Sequence, residues 1–396
     1  MAIVINGSGT VTGISVGGLP DGIVDAGTLA TNSVDSAELI DGAVDDSHMA
    51  SISGRKNILI NGAMNVAQRG TSSTSTGNQT VDRFYLSTSG VDEAVTQAQH
   101  ALTSSDTGPW AKGFRTSYHL TNGNQTSGAG AADRVIFQYL VEAQDIANSG
   151  WDYTSASSYV TLSFWIKSSV AQNFYGKINS TATTAQAYAF ETGSLTADTW
   201  TKIEKTISGN SNIVMPNNNT HGLTVEIVAF RGTDTTGSMS LDTWAANDNA
   251  VRVPDMTSTW YTTNDATFEI TGVQLEVGSV ATNFEHRSYG EELYLCQRYY
   301  ESTPALDEVT SARQQICFGS GAIQGLHFDV RKRAAPTVVL YGRTGVAGSV
   351  SNINTGGVTT GCTASSVTTD GCHYITGSGF TAGISYEVNY SADAEL

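Results

Sequence analysis

Val160-Thr-Leu-Ser-Phe-Trp-Ile166 places Val160, Leu162, Phe164 and Ile166 at alternate positions. A period of two is the signature of a half-buried strand. Short apolar runs of this kind recur at 113–120, 135–140, 174–178, 200–207, 223–230 and 267–275, separated by polar turn clusters. Many short strands with turn-rich links predict a mainly β chain with a central antiparallel jelly-roll β-sandwich. Lys56-Asn-Ile-Leu-Ile-Asn61-Gly62-Ala-Met64 reads as one more strand closed by an Asn-Gly turn, and residues 70–80 read as a loop.

Outward from this block the texture changes twice. Glu291-Glu-Leu-Tyr-Leu-Cys-Gln-Arg-Tyr-Tyr-Glu301 predicts a helix with Leu293, Cys296 and Tyr300 on one face and acids in its first turn. Beyond it, segments 315–330, 337–341 and 386–390 resume as strands in a Gly-, Ser- and Thr-rich setting, a smaller C-terminal β domain. The expected divisions are 1–53, 54–287, 288–301 and 302–396.

The first division carries an internal repeat of ten residues. Ile14, Leu19, Val24, Leu29, Val34, Leu39, Val44 and Met49 recur at every fifth position, each with a small or polar residue two places before it. Period five matches neither helix nor strand, and one narrow apolar row cannot form a core alone. A single chain coiled as a pentapeptide-type β-helix, three chains sharing the row on a common axis, and a low-complexity linker all remain open. The three-chain reading makes this a decad-repeat stalk and the protein a homotrimer.

Composition narrows the function. Apolar residues are 39% of the chain, with 6 Trp, 16 Tyr and 12 Phe, so a core is available. The net charge of −17 repels phosphate backbones and anionic lipid, so no nucleic-acid partner is expected. No apolar run approaches the ~20 residues that span a bilayer. Neither membrane insertion nor a secretory signal is expected, since the opening residues lack a basic stretch. Cys296, Cys317, Cys362 and Cys372 form no C-x-x-C pair, which fits synthesis in a reducing compartment.

Chemistry-bearing motifs are weak. Gly13-Ile-Ser15-Val-Gly17 matches a nucleophile pattern but lacks the strand–turn–helix context that the pattern requires. Asp41, Asp45, Asp46 and Asp255 offer oxygen ligands with no EF-hand spacing. A structural calcium is compatible with a jelly roll, its ligands are not identifiable, and no cofactor is expected. Glu269 and Glu276 are weak candidates for paired carboxylates. Tryptophans offer more, because flat aromatic faces stack on sugar rings. Trp165 and Trp200 sit in apolar strands and read as core. Trp110, Trp151, Trp244 and Trp260 sit in turn-like sequence and are the glycan-platform candidates, each weighed against a role at the edge of the core. The net charge points to a neutral or weakly charged glycan.

Residues 56–70, with Val81-Asp-Arg-Phe84, resemble the start of a module of bacteriophage tail fibre proteins. The segment Phe268-Glu-Ile-Thr-Gly-Val-Gln-Leu275 through Tyr289, and residues 291–300, resemble its end. Trp165 and Trp200 are similar to its inner strands, and the decad repeats are similar to segments that precede such modules. Val330-Arg-Lys-Arg-Ala-Ala-Pro-Thr-Val resembles a family tail segment less closely. The resemblance implies a trimeric virion structural protein with a carbohydrate-binding-like jelly roll and no catalytic residues. It would be made in the host cytoplasm and built into the virion tail. Its partners would be other tail proteins at the N-terminus and host-surface glycan distally. A glycan-cleaving tailspike and a purely structural connector are the competing readings.

Overall fold

The structure, a computed structural model, describes residues 4–5, 11–12, 55–181, 184–303, 313–316 and 321–396. Two compact units divide the chain, Met1–Arg55 and Lys56–Leu396. In the first, β1 (Val4–Ile5) pairs antiparallel with β2 (Val11–Thr12). The repeat row from Ile14 to Met49 lies outside the described residues.

The second unit begins with two six-stranded sheets. Sheet one runs β13 (Trp244–Ala246), β10 (Gln186–Ser194), β9 (Asn173–Ser180), β12 (His221–Arg231), β7 (Arg134–Glu142) and β4 (Phe84–Ser89). Sheet two runs β11 (Thr201–Ser208), β8 (Tyr159–Ser168), β14 (Thr267–Val277), β6 (Thr116–Thr121), β5 (Thr96–Ala101) and β3 (Ser72–Ser73). Neighbouring strands are antiparallel throughout both sheets. The runs expected to be strands at 135–140, 174–178, 200–207, 223–230 and 267–275 coincide with strands, and that at 113–120 becomes strand from Thr116.

Alternation places the core. On β8, Val160, Leu162, Phe164 and Ile166 are buried and join Phe137, Phe174, Phe190, Ile227 and Phe268 between the sheets. Trp165 and Lys167 take the opposite face of the same strand. Trp165 is therefore half-buried on the outside of sheet two, in a satellite cluster with Phe114, Trp200 and Phe284, and not in the sandwich core expected for it. Trp200, also expected in that core, packs in the same outer cluster.

Residues 56–64 are not the expected strand. They are a buried, irregular segment in which Asn61 and Met64 take left-handed backbone near φ 60°. Among the described residues, only two backbone bonds tie it to β14, Ile58 N to the Leu275 carbonyl and Val273 N to the Gly62 carbonyl, and side chains supply further links. Asn57 Nδ2 donates to the Val273 carbonyl at 3.0 Å, while its Oδ1 accepts from Leu275 N at 3.0 Å. Asn61 Nδ2 donates to the carbonyls of Val66 and Asp82. Gly62 is obligatory here, since a Cβ would stand 2.0 Å from the Val273 oxygen.

The expected helix is shorter than its pattern. α1 (Ala143–Ala147) and α2 (Thr259–Thr262) are single turns, and α3 (Tyr289–Gln297) is capped by the Ser288 side chain accepting from Glu291 N. Cys296 is buried against Ile60, Val66 and Tyr299. Tyr300 belongs to the next strand, so it does not share the helix face with Leu293 and Cys296.

That strand, β15 (Tyr300–Ser302), opens the C-terminal part. β16 (Arg313–Ile316), β18 (Thr337–Tyr341) and β19 (Ser349–Asn352) join β15 in pairing with β23 (Ser385–Asp393), and β20 (Val358–Thr360) pairs with β19. β17 (Ala322–His327), β22 (Gly371–Thr376) and β21 (Thr363–Val367) form a small separate sheet. This region has its own core around Ile323, Val350, Ile375 and Val388, yet belongs to the same compact unit as the sandwich. Arg69 binds Asp393 at 3.0 Å, Arg83 pairs with Glu395, and both guanidinium groups lie over tyrosine rings, of Tyr300 and Tyr299. Among the described residues, no helix is long and apolar enough to cross a membrane.

Candidate functional site

The four candidate tryptophans separate by burial. Trp260 is fully buried: α2 tucks it against Phe268, and its indole N–H donates to the Thr267 carbonyl at 3.0 Å. Trp151 is only 3% exposed, with its N–H on the Ser158 carbonyl. Neither presents a face to a ligand. Their polar neighbours in sequence belong to loops that fold over the core, which is why turn-like surroundings misplaced them. Trp110 is half-buried on a short 3-10 turn, Trp110–Lys112, and its ring is covered by the Arg115 guanidinium at 3.8 Å.

Trp244 borders an open cleft. It lies on the edge strand β13, directly opposite Tyr188 of β10, and the rings meet edge to face at 5.5 Å. Its N–H donates to the Ser208 carbonyl on β11 at 2.7 Å, bridging the open edges of the two sheets. The cleft between those edges has a volume of about 420 Å³, with Tyr159, Tyr188, Trp244, Ser208, Asn210 and Asp242 in its wall. Tyr159 is exposed. Burial and the nearby Asp242 carboxylate push the Tyr188 hydroxyl up to about 12, so it stays protonated. Aromatic faces beside hydroxyl, amide and carboxylate groups make a surface suited to a sugar, whose rings have apolar faces and polar rims.

A second cleft, of about 360 Å³, opens over Trp165 on the outer face of sheet two, with Phe284, His286 and Lys202 beside it. The apolar context of Trp165 concealed this position, because strand parity and not local hydropathy decides which side a residue takes.

The acids of β14 are engaged structurally. Glu276 accepts from the backbone and hydroxyl of Thr282 and from Gln274, anchoring the loop after the strand. Glu269 is buried on the outer face beside His119 and Lys167, its cross-strand partners. Lys167 Nζ stands 2.9 Å away, Ser117 Oγ donates at 2.7 Å, and the ring nitrogens of His100 and His119 lie at 3.2 and 3.4 Å. Burial alone would raise the Glu269 pKa, but His119, Lys167 and Ser117 together hold the carboxyl well below its usual range. His100, His119 and Glu269 have the ligand types and proximity for a divalent ion. The Lys167 ammonium already occupies one oxygen of that carboxylate, so the cluster reads as an ion-pair network. Asp255 accepts from the Thr236 hydroxyl, and Asp41, Asp45 and Asp46 lie outside the described residues. Cys296, Cys362 and Cys372 are free and buried; Cys317 lies outside the described residues.

No family model matches the chain, and no curated protein matches it. Solved structures similar to it include carbohydrate-binding modules. One, described as a sugar-binding protein from Bacteroides thetaiotaomicron, is 10% identical, covers 56% of this chain and 100% of its own, and has a TM-score of 0.30. The N-terminal cellulose-binding domain of Cellulomonas fimi β-1,4-glucanase C is 7% identical over 55% of this chain and 99% of its own, with a TM-score of 0.27. A xylan-binding domain from Paenibacillus barcinonensis is 11% identical over 53% and 94%, with a TM-score of 0.24.

Proposed function

We propose that this chain is a non-enzymatic, glycan-recognising component of a phage tail fibre, trimeric through its N-terminal repeat. The observation that carries the glycan reading is the edge cleft, where Trp244, Tyr188 and Tyr159 stand among hydrogen-bonding groups. The fibre assignment is supported by the sequence resemblance of residues 56–300, and the trimer by the apolar row at every fifth residue from Ile14 to Met49. Glu269 and Glu276 are each committed to local partners, which favours binding over cleavage.

Incubation of the intact chain with host envelope polysaccharide tests the function. Retention without shortening of the polymer is expected. Shortening would make the protein a depolymerase, and absence of retention would make it a connector. Native mass spectrometry tests the assembly: a trimer is expected, loosened by joint replacement of Val34 and Leu39 with Asp, and a stable monomer overturns it.

A further inference from the structure

The outer face of sheet one carries a further cleft, of about 340 Å³, near the lower end of the range for small-molecule sites. Ser87, Arg134, Gln138, Arg231, Asn249 and Arg252 line it. Strand register places Glu226 and the buried Lys177 on β12 and β9 beside Gln138 of β7, which lines the cleft. Gln138 Nε2 donates to Glu226 at 3.0 Å, Arg231 Nη2 donates to the other carboxylate oxygen at 3.3 Å, and Lys177 Nζ stands 4.0 Å from it.

Charge is unbalanced there. Four cations, Arg134, Arg231, Arg252 and Lys177, gather around one carboxylate in a chain that holds 37 acids against 20 bases. Asp234 and Asp248, on the flanking loops, are exposed. The remaining partners are neutral: Arg134 reaches the Ser87 hydroxyl at 3.3 Å, Arg252 the Asn249 amide oxygen at 2.6 Å, and Lys177 the Asn247 amide oxygen at 3.5 Å. Arg231 is 4% exposed, and its buried Nε has no partner among the described residues. A buried donor without an acceptor and like charges held together are both costly, and both are relieved by an incoming anion. Burial lowers Arg231 to about 10 and Lys177 to about 8; Glu226 opposes both shifts, and the neighbouring guanidinium groups deepen them.

We propose that this cleft binds a carboxylate-bearing sugar unit, with the carboxylate among Arg134, Arg231 and Arg252 and the ring hydroxyls against Ser87, Gln138 and Asn249. The planar guanidinium edge of Arg231, including its free Nε, matches a planar carboxylate in paired hydrogen bonds. Ser87, Gln138 and Asn249 each hold one charged group of the cleft and keep further hydrogen-bonding capacity, which the several hydroxyls of a sugar ring can use. The net charge of −17 points to neutral glycan only when averaged over the molecule; within this cleft the local sign is opposite. The proposal rests on the glycan reading for the polymer, but not for the anion.

Calorimetric titration of the full chain with glucuronate, glucose and inorganic phosphate tests it. Glucuronate is expected to bind at least tenfold tighter than glucose and tighter than phosphate, and to weaken with added salt. Arg252→Gln and Arg134→Gln are each expected to weaken glucuronate tenfold or more without changing the melting temperature. Arg343→Gln, an exposed cation of the C-terminal part, should leave binding unchanged. Glucose binding as tightly as glucuronate, phosphate binding more tightly, or unaltered binding in both cleft variants overturns the proposal. If glucuronate binds as expected but host polysaccharide is not retained, the anion site stands and the glycan-receptor reading falls.

Discussion

Lys332 Nζ stands 2.6 Å from Glu301 Oε2, and both side chains are withdrawn from water. Glu301 also accepts from the backbone of Asp329 and Val330 and from the Tyr390 hydroxyl. Lys332 donates to the carbonyls of Gln297 and Val330 at 2.6 and 2.8 Å. The pair thus clamps the end of α3, strand β15 and the turn at 329–333. Beside it, Arg333 donates to the carbonyls of Ala394, Glu395 and Asn219. The Val330-Arg-Lys-Arg segment joins the C-terminal part to the sandwich.

Removing one member of such a pair leaves an uncompensated buried charge. Lys332→Met should reduce the unfolding free energy by about 3–5 kcal/mol. Denaturant melts will measure this. A loss below about 1 kcal/mol, the scale of a surface pair, would show that the clamp is not essential.

Glu269 gives a pH signature. Its carboxyl titrates below its ordinary 4.5 in the folded chain, so the stability it supplies is complete above that value. The contribution drains away as pH falls toward the folded value, where the folded state also takes up the proton. Glu269→Gln should cost about 3–5 kcal/mol at neutral pH, and the gap to the parent should narrow below pH 4.5. A gap that stays constant down to pH 3 would contradict the network.

The tryptophans should divide by structure and not by sequence context. Trp260→Ala empties a core position and should destabilise by about 3–5 kcal/mol. Trp244→Ala, at a half-buried edge, should weaken polysaccharide retention with a smaller shift in melting temperature. Equal melting shifts and unchanged retention would remove the edge cleft from the binding surface.

Lys177 sets the pH response of the cationic cleft. Glu226, Arg231 and Arg252 are the charged groups acting on it, and its amide neighbour is Asn247. Its folded pKa of about 8 lies below the ordinary 10.5, so raising the pH through 8 removes one buried positive charge beside the arginines of the cleft. Glucuronate affinity should fall across that step, while stability from this group rises between pH 8 and 10.5 because the unfolded chain keeps the extra proton. Titrations at pH 7 and 9 check it. Equal affinities would show that Lys177 does not act on the ligand.

The strands were legible because their signal is local: Val160 to Ile166 needs only its own alternation. The segment at 56–64 was not, because its apolar run is buried without a ladder and Asn57 and Asn61 stand in for one. Trp244 was within reach of turn chemistry, whereas Trp151 and Trp260 share that chemistry and lie in loops pulled inward. The cationic cleft left no local trace. Arg134, Lys177, Arg231 and Arg252 are scattered over more than a hundred positions, and only strand order brings them together.

Strand β23 pairs with β15, β16, β18 and β19, and a ribosome makes all four before it makes their shared partner. Until residue 393 has emerged, those four strands have edges with nothing of their own chain to close them, while the sandwich up to Val277 already has every strand it needs. Biogenesis is therefore staged: one part assembles during translation, and the other waits for its last-made strand. In that interval the open edges are exposed to other nascent chains on the same message. A chain interrupted before Ser385 would carry permanently unpaired edges and leave the buried Arg83 guanidinium without Glu395, which makes aggregation the expected fate of late truncations.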